Sequence, residues 1–204
     1  MSFENSKIMG ETGALLMVVC PLGGAYTVIL GLVGFVLLIV AIDGLADHYK
    51  DRGIFKNMMY GGIAFIAGAV IAAIIMVVAA IGMFTALGIP TTGWFDPSQW
   101  QAMDWNDFTN WNAIAPYLGV MIGALVVLFA LSVLAAILIR RSLRTLAQKS
   151  GVQTFMTCGT FLLIGAILTI IAVGVVLLWI ALLLLAVAFF QLKAEPAQSP
   201  MAKV

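Results

Sequence analysis

His48 is the only histidine of the chain, and it lies in the most polar run, Asp43-Gly44-Leu45-Ala46-Asp47-His48-Tyr49-Lys50-Asp51-Arg52. Asp43, Asp47 and Asp51 recur every four residues, which puts three carboxylates on one face of a helix. Stacked carboxylates beside an imidazole are the groups of a metal site or a proton relay. Three features weigh against that chemistry. His48 directly follows Asp47, so on a helix it points about 100° away from the carboxylate face. No second histidine or nearby cysteine stands ready as a ligand. Lys50 and Arg52, with the basic run Arg140, Arg141 and Arg144, are placed by charge on the same side of a membrane and can neutralise the carboxylates. The run therefore reads as a solvated helix end, with Asp43, Asp47, Arg140, Arg141 and Arg144 forming an electrostatic cluster between two inner loops. Asp43 follows the apolar run 32–42 directly, and ionisable groups at a membrane edge are paired or wet, so it is expected to pair with Arg140, Arg141 or Arg144.

Other chemistry is hard to place. Cys20 and Cys158 both fall in apolar stretches, without a CxxC or a Cys/His cluster, and read as small buried hydrophobes. The sequence has no P-loop, no HExxH, no nucleophile motif and no CxxCH. No ionisable residue stands near the middle of an apolar segment, where ion and proton pathways place them. The expectation is a protein that is not an enzyme, with no catalytic residue, no cofactor and no metal. The net charge of +1 gives no reason to expect nucleic acid as a partner.

The elements that must carry these residues are apolar. Hydrophobic residues make up 63% of the 204, charged ones 9%, and the mean hydropathy is +1.14. Soluble domains carry roughly a quarter charged residues, so lipid must cover most of this surface. The opening MSFENSKIMG lacks the basic start of a signal peptide, and the apolar stretch after it is too long for one, so it reads as mature structure. Four uncharged stretches follow, at 12–42, 57–95, 108–139 and 150–192, each beyond the roughly 20 residues a crossing needs. The first contains Pro21-Leu22-Gly23-Gly24, a helix breaker. The last would be roughly 60 Å long as one helix, more than tilt can absorb, and is expected to turn around Ala172-Val173-Gly174.

The fold class is thus all-α: a polytopic transmembrane bundle of about six helical segments, near 8–20, 25–46, 57–89, 112–140, 153–170 and 174–192. A short hairpin stands at each end and two long helices at the centre, in one membrane domain, with 193–204 as a flexible tail. Four long kinked helices are the alternative. Lys50, Arg52 and Lys56 lie in loop 43–56, and Arg140, Arg141, Arg144 and Lys149 in loop 140–150. Loop 90–112 carries Asp96, Asp104 and Asp107 but no Lys or Arg. The excess of basic residues on the inner side puts the first two loops in the cytoplasm, the third outside, and, with six segments, both termini inside a cytoplasmic membrane. In the outer loop Trp94, Trp100, Trp105 and Trp111 read as interfacial anchors, and Asp96-Pro97 as a helix start. Ala64, Gly68 and Ala72, and separately Gly119 and Gly123, have the spacing of close helix packing in lipid. Internal packing is the first reading of these faces and self-association the second. Gly13 and Gly159 each open an apolar run broken near its middle, a faint hint of an internal repeat.

Several stretches are similar to a known family. Gly13-Ala14-Leu15-Leu16, Leu30-Gly31-Leu32-Val33-Gly34 and Ile42-Asp43-Gly44-Leu45-Ala46-Asp47-His48-Tyr49 match its opening. Asp51-Arg52-Gly53-Ile54-Phe55-Lys56-Asn57 matches its link into the next helix. The run from Leu163 to Gly174, ending in Ala186-Val187-Ala188-Phe189-Phe190, is the nearest match. In these the chain resembles the archaeal integral membrane proteins grouped as domain of unknown function 996. The resemblance implies an archaeal membrane and brings no activity or site residues. Two functions fit: a structural or accessory subunit of a membrane complex, whose partners are lipid and other membrane subunits or itself, or a small channel or carrier for a neutral or hydrophobic solute.

Overall fold

The computed structural model describes residues 2–23, 27–87, 111–171 and 173–193. Its elements are six α-helices: α1 (Phe3–Val19), α2 (Val28–His48), α3 (Arg52–Ala86), α4 (Trp111–Ser150), α5 (Thr154–Leu168) and α6 (Val173–Phe190). Short 3-10 turns at Cys20–Leu22 and Thr169–Ile171 mark the two expected breaks. No strand occurs among the described residues. Five stretches, namely α2, α3, α4, α5 with its following turn, and α6, are long and apolar enough to cross a membrane.

The all-α class and its six segments are as the sequence indicates, while several boundaries move outward. α1 starts at Phe3 rather than near residue 8, because the Ser2 hydroxyl accepts the Asn5 N–H at 3.2 Å and Glu4 sits in the first turn. An oxygen cap and an early acid are what a helix N-terminus favours. α3 starts at Arg52 rather than near 57, and α4 continues to Ser150 rather than ending near 140. The basic residues from Arg140 to Lys149 therefore stand on a helix and not in a loop. Polar side chains end an apolar span without ending the helix, since Arg, Leu, Gln and Lys are all good helix formers.

The chain divides into two compact units, residues 1–63 with 133–204, and residues 64–132. In the first unit the two terminal hairpins, α1–α2 and α5–α6, meet through α1 and α6. A side-chain carbon on Gly13 would stand 2.7 Å from the Gly34 carbonyl, and one on Gly34 the same distance from the Gly13 carbonyl, so α1 and α2 touch backbone to backbone. In α6, Gly174 plays the same part against Gly165 of α5. Lipid supplies no hydrophobic drive between helices, so this closeness, and the dispersion contact it allows, holds each hairpin shut. Gly10 of α1 faces the Phe189 ring, which meets Phe155 edge-on at 5.3 Å. Leu45, Ile54, Leu143, Leu146 and Leu192 complete the core around them.

In the second unit, 64–86 of α3 pairs with 111–132 of α4. Gly68 lies against Leu131 and Gly82 against the Tyr117 ring, with Ala72 and Ala79 buried between. Most of both surfaces faces outward: the crossing windows of α3 and α4 are each 17% buried, against 39% for α2.

Candidate functional site

The α2–α3 corner gathers the residues that the sequence singles out, by a different arrangement from the one expected. α2 ends with Lys50 at φ 52, in the left-handed region. The Lys50 N–H donates to Asp47 O at 3.1 Å and the Asp51 N–H to Ala46 O at 2.9 Å, a pair of bonds that closes the helix end. The Asp51 side chain then caps α3, its carboxylate accepting the Gly53 N–H at 2.9 Å. The three carboxylates consequently do not share a face. Asp43 and Asp47 do, and Asp51 opens the next helix.

This reversal brings Arg52 back over the last turns of α2. Its guanidinium reaches Asp43 at 2.6 Å and Asp47 at 2.7 Å through its two terminal nitrogens. The expected partners Arg140, Arg141 and Arg144 are not the ones Asp43 takes. A residue that the tight turn delivers opposite both carboxylates competes better than residues on another helix. The three side chains are 44–57% exposed, so the cluster fixes geometry more than it stabilises. His48 points elsewhere, its ring tilted at 49° against Phe3 at 4.8 Å and meeting Tyr49 edge-on at 5.1 Å. No group of three or more His, Cys, Asp or Glu residues suited to a metal occurs among the described residues.

The α4–α5 corner turns at Gly151, φ 74, whose N–H donates to Ala147 O at 2.9 Å. Below it Ser142 is fully buried and donates to the Ile54 carbonyl at 2.6 Å, tying α4 to the first turn of α3. The Arg140 stem lies against Gly159 of α5, while Arg141, Arg144, Gln148 and Lys149 are exposed. None of these cations is within ion-pair distance of a carboxylate among the described residues. A shallow open groove of about 270 Å³ runs along α5, lined by Gln153, Met156, Thr157, Thr160 and Phe161. Thr157 donates its hydroxyl to the Gln153 carbonyl at the start of α5, and Thr160 donates to the Met156 carbonyl.

Sequence reasoning missed Trp179, Ser142 and Thr27. The Trp179 indole donates to the Val18 carbonyl at 3.0 Å, and Thr27 donates to the Cys20 carbonyl. Both satisfy acceptors left open where α1 breaks at Pro21, an obligation every helix C-terminus carries. A tryptophan far from both ends of an apolar helix is the signal that could have found the first, because a buried indole N–H needs an acceptor. Cys158 is buried and donates to the Ala181 carbonyl at 3.1 Å across the α5–α6 hairpin.

The remaining expectations divide. Trp94, Trp100 and Trp105, with the Asp96-Pro97 helix start, lie outside the described residues. Trp111 opens α4 and is 68% exposed. Of the small residues, Gly68 and Ala72 pack inside the second unit, whereas Gly119 and Gly123 have nothing among the described residues within 4 Å of where a side-chain carbon would stand. Internal packing, the first reading of this face, is not seen among the described residues. Gly13 and Gly159 are not equivalent either: one touches its own hairpin partner and the other faces Arg140 of α4.

No solved structure matches the chain. An uncharacterized protein of Methanocaldococcus jannaschii is 27% identical over 193 residues, covering 94% of each chain. Residues 30–183 match the family described as Protein of unknown function (DUF996), a span that takes in the stretches 30–49 and 51–57 and the run 163–174. With three quarters of its length inside that match, the chain belongs to the DUF996 family.

Proposed function

We propose that this multi-pass protein is a non-catalytic, structural or accessory subunit of a membrane complex. The observation that carries the reading is the open face of the second unit. Two helices of crossing length are paired there with little of their surface covered, and Gly119 and Gly123 offer a place where a further helix could approach closely. The buried polar side chains agree: Ser6 is spent on the Ser2 carbonyl and Ser142 on tying α4 to α3, and no buried side-chain nitrogen or oxygen lacks a partner among the described residues. The carrier reading has less support: the groove along α5 is lined by α5 and its N-terminal approach alone.

The orientation proposed with it puts both corners and both chain ends in the cytoplasm. Contacts within the first unit support one common side: Phe3 lies on His48, Thr154 is bonded to Gln191, and Gly10 faces Phe189. All the basic residues of the corners then share that side. A photo-reactive residue in place of Gly119, activated in native membranes, tests the subunit reading. Adducts with one distinct polypeptide are expected, and adducts with lipid alone would remove its main support.

A further inference from the structure

We propose that Arg141 and Arg144 form a binding site for the phosphate of anionic membrane lipids. The inference depends on the chain spanning a membrane and not on the subunit reading. It starts from how α4 is fixed about its own axis. Ser142, Leu143, Leu146 and Ala147 are all fully or nearly fully buried, and the Ser142 hydroxyl is bonded to the Ile54 carbonyl at 2.6 Å. The opposite side of the helix must therefore face outward. At 100° per residue, Leu134, Ile137, Arg144 and Gln148 all fall within about 60° of Arg141. All five are exposed. Leu134 and Ile137 are apolar and belong to the lipid-facing surface. One turn further along the same stripe the residues become Arg141 and Arg144.

Two guanidinium groups at the end of a lipid-facing stripe stand at headgroup depth, beside lipid and not over a protein cleft. Among the described residues of the first unit no carboxylate lies within ion-pair distance of them. The carboxylates of the α2–α3 corner are committed, Asp43 and Asp47 to Arg52 and Asp51 to the α3 cap. Lys149 is exposed on the same helix end, and the antiparallel pairing that joins Ile54 to Ser142 and Gly61 to Ile139 sets Lys56 level with Arg140 and Arg141. These cations deepen the positive potential around the site. A phosphate accepts two parallel N–H bonds from a guanidinium, so arginine supplies geometry as well as charge.

The test uses the full chain purified in mild detergent, with native mass spectrometry reading the lipids retained from an equimolar mixture of phosphatidylglycerol and phosphatidylcholine. The wild-type chain is expected to retain phosphatidylglycerol preferentially. Each basic side chain near an anionic surface contributes roughly five-fold to partitioning. The R141Q/R144Q variant should accordingly lose up to roughly thirty-fold of the preference. R141K/R144K, which keeps both charges but loses the paired N–H geometry, should fall between the wild type and the glutamine variant. The proposal is overturned if the wild type shows no headgroup preference or if the glutamine variant keeps it. Equal loss in the lysine and glutamine variants would also overturn it, since the cause would then be structural and not the charge.

Discussion

At the α2–α3 corner the chain reverses through Lys50, held at φ 52, and at the α4–α5 corner through Gly151, at φ 74. The first corner places a side chain where the backbone prefers none, and its neighbours hold it there: Asp51 caps the next helix and Arg52 closes over Asp43 and Asp47. The second uses the residue that adopts the left-handed region without strain, and among the described residues its cations have no acid to close over. A corner whose charges are internally matched needs nothing from its surroundings. One whose cations are left open draws its counter-charge from lipid, water or another chain. Both corners lie at the same end of one unit, so the difference is of chemistry and not of depth.

Substitutions can break that comparison, beginning with the largest effect. Gly151→Val puts a β-branched residue in the left-handed region and should cost about 2 kcal/mol, read as a lowered midpoint of thermal helix loss in detergent. Asp51→Ala removes the α3 cap and should lower the same midpoint by the equivalent of about 1 kcal/mol. Lys50→Gly relieves the strained position while keeping both closing bonds, so it should raise the midpoint, by about 0.5–1 kcal/mol. A fall on Lys50→Gly would mean that the lysine side chain itself supports the corner. Arg52→Ala leaves Asp43 and Asp47 unmatched but exposed, and should change stability by no more than about 0.5 kcal/mol. A loss of several kcal/mol there would show that the cluster holds the corner together.

Much of this arrangement was legible in the sequence, and the unreadable parts have physical causes. Apolar run lengths and the Pro21-Leu22-Gly23 break fixed the helix count, because bilayer thickness and the missing proline N–H act locally. The break near residue 172 followed from length alone and falls at Thr169–Ile171, within a turn of the expectation. Which cation would take Asp43 could not be read, since that depended on whether α2 stopped before Asp51. Lys50 is an unusual residue for the left-handed position that stops it, so the end carries no glycine signal. The helical course of Arg140–Lys149 was hidden because charge ends a span and not a helix. Gly119 and Gly123 had the spacing of a packed face, and spacing does not say whether the partner helix belongs to the same chain.

The central claim is that the chain works as part of a larger membrane assembly. Native membranes solubilised gently, separated by size without denaturation and analysed by mass spectrometry give the most direct test. A subunit of such an assembly, the 21.7 kDa chain is expected to migrate together with other polypeptides in fixed stoichiometry, well above its own mass. Migration as a lone monomer, or as a small assembly of copies of itself, would contradict it.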